Sequence, residues 1–569
     1  MALSDGQTLN VTGAVDAGTR GLALTTSGNL VVSAGLSAGT TVTLTSAGTI
    51  TEPVGGLITA AALTGSSVGG TTLDQANLVA DLGPFTNNGA GGLALSDGRT
   101  LNVTGAVDAG TAGLALATTS GNLAVGAGLS AGTTVTLTSG GTITEPAGGV
   151  IKAATLNGGS VGDASLDQGN LLANLGPFTT TATGTFTFTN SQALTVSGPL
   201  SSAGDMRIKV NTGDLTLVGN ITAGGGSSNA ALVVTAGNAS ELDDPAVTAS
   251  GLIIDAAGNV SFGVTGGKVF PANANAVGTL AGTAGGSFGF LNGPALTIGT
   301  VPATGGVASQ SGISASGTTS GDVLIQTNNL GQPLTLASNI SAGGRAILDT
   351  AGGFSQTGAV TVTAPVLAID TTGSGVGTLL GFIPSTNVNA NVIGGLPPAG
   401  KTSNPMQFAN LSAPNSVVLL FADQGAVAGT IQAGQLGVSG IRSGANLQGS
   451  INGVTDPTAA LLGVRDPEPA STYLFNDCVI AAATCFVPTA ATPLGFLVVQ
   501  PQSPSAVTAA DLLPDIAATA DFITPEAVRA LRQSPDPDAP VINIFDEEHL
   551  CDETAKGSQP GRERCQEQR

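Results

Sequence analysis

Along most of the chain, apolar residues come in pairs with one residue between them. Leu9/Val11, Leu22/Leu24 and Val42/Leu44 are the first three, and their alternation is the two-residue period of a β-strand with one buried face. The pairs return roughly every 20 residues, with Gly, Asn, Asp and Ser gathered between them as tight turns require. Ser27-Gly28-Asn29-Leu30 and Thr212-Gly213-Asp214-Leu215 are two such corners. A unit this short has no helical spacing and cannot bury its own apolar face, but stacking it on its neighbours does so, and that is the logic of a solenoid. The pattern therefore predicts an all-β fold, a parallel β-helix, with turns about 4.8 Å apart. At about 20 residues per turn, the chain up to residue 465 gives roughly 23 turns and a rod on the order of 110 Å.

Internal repeats strengthen this reading. Residues 3–85 are nearly copied by residues 95–178, with an offset of 92 at Leu9 and Leu101 that becomes 93 after an extra Ala117. A shorter motif opens at Leu9 and returns at Leu101, Leu194, Leu215, Leu296 and Leu334. The copies LTLVGNITAGG at Leu215 and LTLASNISAGG at Leu334 lie 119 residues apart, close to six turns of about 20. A second motif joins Asn77 to Leu82-Gly83-Pro84-Phe85 and Asn170 to Leu175-Gly176-Pro177-Phe178, with a weaker echo at Asn275 and Leu280. A sandwich does not predict sequence identity at this spacing, and propeller blades need about 40–50 residues each. We read residues 1–92 and 93–184 as two copied blocks, 185–465 as degenerate turns, and 466–569 as an acidic, Cys-containing tail beginning near Asp466-Pro467-Glu468-Pro469. Most of that tail reads as irregular and partly disordered. Ile523 to Leu531 is expected to form a short helix, capped by Thr524 with Pro525 in its first position.

Composition adds to this picture. The chain has 85 Gly and no Trp among 569 residues, and only 9% of residues are charged. Gly at this level can signal low complexity, but mean hydropathy is +0.33, too apolar for a chain held unfolded. The net charge of −21 opposes nucleic acid and anionic membrane surfaces as partners. About a third of the acids follow Ser503. No apolar run approaches the ~18 residues of a transmembrane segment. Met1-Ala2-Leu3-Ser4-Asp5-Gly6 has neither a basic start nor an apolar stretch, so no export signal is expected in this chain. It opens inside a repeat and reads as a fragment or a misplaced start.

The units Ile50-Thr51-Glu52-Pro53 and Ile58-Thr59-Ala60-Ala61-Ala62-Leu63-Thr64-Gly65-Ser66, followed by Leu73, Asn77 and Leu82-Gly83-Pro84-Phe85, resemble filamentous haemagglutinin-like exoproteins. Tyr473-Leu474-Phe475-Asn476-Asp477-Cys478 with Cys485 is similar to the C-terminal end of such proteins. The resemblance covers nearly the whole chain. It implies a right-handed parallel β-helix and export by two-partner secretion through an outer-membrane secretion partner. It also implies display at, or release from, the surface of a Gram-negative bacterium. The function implied is adhesion, aggregation or biofilm formation through host or neighbouring-cell receptors or glycans.

Candidate chemistry is sparse, and neither a catalytic set, a metal site nor a cofactor is expected. The alternative is a β-helical carbohydrate-active enzyme, a polysaccharide lyase or hydrolase. A hydrolase needs two carboxylates about 5–9 Å apart, and Asp5, Asp16, Asp74 and their copies Asp97, Asp108 and Asp167 are the candidates. The competing reading is that these Asp residues shape turns. His549, beside Asp546-Glu547-Glu548 and Cys551, reads as part of a solvated acidic tail. The Asn-x-Ser/Thr sites at Asn10, Asn102, Asn220, Asn259 and Asn339 are either glycosylated, as in some relatives of the resembled family, or corner residues. Cys478, Cys485, Cys551 and Cys565 suit disulfides in an oxidising compartment. Pairing Cys478 with Cys485 and Cys551 with Cys565 is one of three possible connectivities.

Overall fold

The computed structural model describes residues 1–265, 268–269, 275–317, 321–383, 404–441, 446–451, 461–465 and 472–475. The chain divides into two compact units, Met1–Val499 and Gln500–Arg569, and the described residues belong to the first. The four cysteines, His549 and the expected helix over residues 523–531 lie outside them.

The described residues of the first unit form a parallel β-solenoid of about 19 stacked turns, with almost no helix among them. Each early turn has one longer wall and two shorter ones. On the long wall Ala2–Asp5 pairs with Leu22–Thr26, which pairs with residues 42–46. Leu9–Val11, Leu30–Val32 and Thr49–Thr51 stack on one short wall. Val15–Asp16 and residues 36–38 and 58–60 stack on the other. Within Leu22–Thr26, Leu22, Leu24 and Thr26 are buried while Ala23 and Thr25 face outward, as the sequence alternation requires. The core is one continuous aliphatic column, because the register puts Leu22 on Val42 and Leu24 on Leu44. Each such burial stabilises the fold by about 1.5–3 kcal/mol.

The turns are fewer than the expected 23 because the later ones are longer. Corresponding residues are 20 or 21 apart early in the chain, as at Thr49 with Asn29 and Thr64 with Thr43. Between Asp255 and Thr283 the separation is 28, and between Ser287 and Asp322 it is 35. The extra residues fold back over the outside. The antiparallel pair Thr300–Val301 and Gln310–Ser311 brings Val301 onto the outward-facing Ala231, Ile253 and Ala281. The short helix Val376–Phe382 contributes Leu379 to a second outer cluster with Leu324, Ile347, Ala368 and Leu419. The motifs at Leu215 and Leu334 are consequently not six turns apart on one wall. From Leu215 the ladder passes through Ala239, Val260, Phe288 and Val323, whereas Leu334 stacks on Leu296 on a different wall.

The long duplication is likewise out of phase with the turns. Leu93–Asp97 opens the second copy, yet it rests on residues 71–73 of the first copy's short wall. Above it, Leu114–Thr118 continues the second copy's long wall. The first copy's long wall meanwhile splits at Gly83-Pro84, since Leu82 pairs with Val103 and Phe85 with Val107 on two separate short strands. Phe186–Asn190 repeats the step by resting on residues 164–166. A copy of 92 residues is thus about four and a third turns, and each copy is rotated by one wall.

Glycine makes room for a phenylalanine at these steps. A Cβ on Gly65 would lie 2.3 Å from the Leu44 carbonyl oxygen and 2.8 Å from the Phe85 ring. Gly158 has the same relation to Leu137 and Phe178, and Gly282 to Ile254 and Phe288. Gly65→Ala is expected to destabilise the column by about 1–3 kcal/mol through overpacking. Gly13→Ala, with nothing within 4 Å of its Cβ position, should have little effect. Urea unfolding of the two variants tests this, and equal midpoints would refute the packing argument.

Candidate functional site

The acids singled out in the sequence do not converge. Asp5 and Asp16 lie on different walls. Each accepts the backbone N–H two residues on: Gln7 to Asp5 at 3.0 Å, Gly18 to Asp16 at 2.8 Å, Arg99 to Asp97 at 2.9 Å and Gly110 to Asp108 at 2.9 Å. That is the hydrogen bond by which Asp shapes a turn. Asp74 accepts a bond from the Gln75 side chain at 3.1 Å. Asp167 differs, because it takes hydroxyl bonds from Ser165 and Thr187, both at 2.8 Å, and an ion pair from Arg207. Gly305 of the outer hairpin packs against the Arg207 side chain, so this ion pair helps to seat the hairpin on the wall.

Corner Asn and Asp residues stitch one turn to the next. Asp214 Oδ1 accepts the Asn238 N–H at 2.7 Å, Asn238 Oδ1 accepts that of Asn259 at 2.8 Å, and Asn259 Oδ1 accepts that of Ser287 at 2.8 Å. Asn220 and Asn339 do the same for Ala246 and Thr361, each at 2.9 Å. Asn102 donates to Asp81 at 3.2 Å, and Asn10 is exposed. Four of the five Asn-x-Ser/Thr sites thus have side chains committed to stacking the turns.

Three buried carboxyls form the most unusual chemistry in the column, and each stands where the walls exchange. Glu52 Oε2 accepts the Asn77 side chain at 3.0 Å and the Gln75 N–H at 3.1 Å. Glu145 Oε2 accepts Asn170 at 3.2 Å and the Gln168 N–H at 2.7 Å. Glu241 Oε2 accepts Asn275 at 3.4 Å. In turn the Asn77, Asn170 and Asn275 carbonyls accept the N–H of Ile58, Ile151 and Val247. The second oxygen of every Glu is buried without a partner. Burial holds these carboxyls protonated well above the ordinary value of 4.5: Glu52 and Glu145 rise to about 7 and Glu241 to about 8. The nearby carboxylates Asp74, Asp167 and Asp244 add to the rise. One turn beyond each junction Asn is another buried Asx. Asn190 and Asn292 exchange two backbone bonds with Leu172 and Val277, while Asp97 takes that place in the first copy and accepts the Val79 N–H at 2.7 Å. Burial raises the Asp97 carboxyl as well.

On the long wall of the first block, Ser4, Thr25, Thr45 and Ser66 form an outward hydroxyl row in register. They line a shallow trough of about 560 Å³ that continues past Asp5 and Val68. Among the described residues no group of three or more His, Cys, Asp or Glu is placed to hold a metal ion. No helix among them is long and apolar enough to cross a membrane.

No family model, curated protein or solved structure matches the chain.

The second motif was visible in the sequence, but the role of Asn77 in it was not, nor was the partnership with Glu52. The available signal was the fixed offset of 25 residues, from Glu52 to Asn77 and again from Glu145 to Asn170. These carboxyls make stability depend on pH. Their folded-state proton affinity exceeds that of the unfolded chain, so their contribution is complete below about pH 4.5 and is lost as pH rises through about 7 to 8. Replacing Glu52, Glu145 and Glu241 together with Gln should flatten the fall in melting temperature between pH 5 and pH 8 and raise it at pH 8. Thermal unfolding across that range checks this. An unchanged pH profile would assign the dependence to other groups.

Proposed function

We propose that the chain is the shaft of a secreted or surface-displayed adhesin of filamentous haemagglutinin type. It would be exported by a two-partner route in a Gram-negative bacterium and act by holding binding surfaces away from the cell. One observation carries this reading: about 19 turns share a single aliphatic core, so most of the described chain is spent on length. At ~4.8 Å per turn the column extends on the order of 90 Å. Its long outer wall presents hydroxyl rows and small side chains, a surface suited to hydrogen-bonding hydroxylated ligands such as cell-surface glycans. The four duplicated acids that make turn bonds of the same kind, Asp5, Asp16, Asp97 and Asp108, act within the scaffold, and copied scaffold supports a repetitive structural role. The copied blocks also face successive walls, so any contact surface they carry is offered in two directions.

Beads coated with the purified chain should attach to epithelial or bacterial cells several-fold more than albumin-coated beads, and soluble chain should compete. Deleting the gene in its host should lower surface attachment by a similar factor. Absence of both effects would refute the adhesin reading. Release of reducing ends from a polysaccharide would replace it with a carbohydrate-active enzyme.

A further inference from the structure

The upper part of the column contains a pair of acids whose oxygens neither the turn chemistry nor the wall exchange exhausts. In the ladder formed by Val323–Thr327, Arg345–Thr350 and Val366–Asp370, Gln326 pairs with Asp349 and Asp349 with Asp370. Phe421 follows on the next turn. Neighbours in such a ladder sit about 4.8 Å apart. Both aspartates are 0% exposed. Leu348 and Ile369 point into the central core, whereas Ile347 and Ala368 belong to the outer cluster beneath the helix Val376–Phe382. By alternation Asp349 and Asp370 face that same outer layer.

Their oxygens are under-used. Neither Asp349 oxygen has a hydrogen-bond partner, and Asp370 Oδ2 has none either. Asp370 Oδ1 accepts the Thr372 N–H at 2.6 Å. The segment after Asp370 then roofs the pair. The Thr372 and Ser374 hydroxyls, 2.6 Å apart, gather at Asp370. The Gly375 and Thr350 N–H groups both point toward Asp349 without closing a hydrogen bond, and the Gln326 Nε2 lies 3.8 Å from the position of a Gly375 Cβ. Arg345 is on the same face of the same strand but is already committed. It pairs with Asp322 at 2.7 Å and donates to the Ile383 carbonyl at 2.6 Å.

Two adjacent carboxylates in a dry layer cannot both stay ionised without a counter-charge. Protons would cancel the charge, since burial raises both carboxyls, but they would leave the unpaired oxygens without partners. A divalent cation would cancel both charges and occupy all three free oxygens. Calcium suits the arrangement better than magnesium. It accepts a bidentate carboxylate and an irregular set of amide, hydroxyl and carbonyl oxygens, whereas magnesium demands an octahedron and keeps several waters.

We propose that Asp349 and Asp370 bind a hard divalent cation of the calcium class, with the Thr372 and Ser374 hydroxyl oxygens beside them in its shell. The ion staples the covering segment 371–383 onto the wall. Hydrogen exchange of the full chain, in millimolar calcium against a chelator, tests this. Exchange in residues 371–383 should slow about tenfold or more once calcium exceeds its Kd tenfold, with magnesium giving less. Asp349→Asn with Asp370→Asn should abolish the response. Equal protection of the double variant would reduce the effect to screening of the −21 net charge and overturn the proposal. Equilibrium dialysis of the unaltered chain does not depend on the variant folding. One calcium retained per chain is expected, and none retained would overturn the site in favour of a proton-sharing pair.

Discussion

The structure depends on one repeated contact, an inward aliphatic side chain resting on a like side chain one turn below while the two backbones share parallel hydrogen bonds. Leu22 on Val42 and Leu24 on Leu44 are the simplest examples. The contact fixes register, because a slip of one residue would turn Leu22 and Leu24 outward and Ala23 and Thr25 inward. It also explains the composition. A narrow coil has room for few large rings, and where Phe178, Phe186 and Phe188 do enter they stack on one another, with centroids 4.7 and 6.3 Å apart.

Stacking of this kind couples each turn only to its neighbours, and that locality permits two departures from strict repetition. The first is the wall exchange, where the chain breaks one long wall into two short ones and erases a corner elsewhere. The exchange leaves backbone groups that no ladder satisfies, and buried side chains take them over. Asn77, Asn170 and Asn275 each accept a stranded N–H and pass their amide to a buried Glu. A buried donor or acceptor left unmatched costs about 1–3 kcal/mol, so the Asn is the cheaper solution. The Glu beside it remains half-satisfied and therefore prefers to keep its proton.

Much of the architecture was legible in the sequence, since alternation at Leu9/Val11 and turn residues at Ser27-Gly28-Asn29 specify a strand and a corner without help from distant contacts. The turn role of Asp5, Asp16, Asp97 and Asp108 was legible for the same reason, because its hydrogen bond spans two residues. Turn count and phase were not. An insertion such as residues 299–312 is invisible to a periodicity, and Ile253, which it covers, looks like any core isoleucine. The rotation of the duplicated blocks was implicit in the offset of 92, which is not a whole number of turns, but only the pairing of Leu93 with Thr71 says which wall receives the copy. Glu52 and Asp349 were hidden because burial of a carboxyl depends on the residues one turn away.

The second departure is the outer covering, and it changes what the upper turns can do. In the first block the outward positions are Ala23, Thr25, Thr43 and Thr45, small or hydroxylated and open to water. Higher up, outward Ile253 and Ile347 are completely buried by the hairpin near residues 300–311 and by the segment around Val376–Phe382. Each cover is held by a charged group of the wall as well as by apolar contact: the Asp255 carboxylate accepts the Gln310 side chain of one, and Arg345 bridges Asp322 to the Ile383 carbonyl of the other. An apolar patch alone would hold its cover in many positions, because the hydrophobic effect has no direction. A charged group with a fixed hydrogen-bond geometry selects one. The lower turns are therefore built to present a bare wall, while the upper ones are built to hold a particular loop in a particular place.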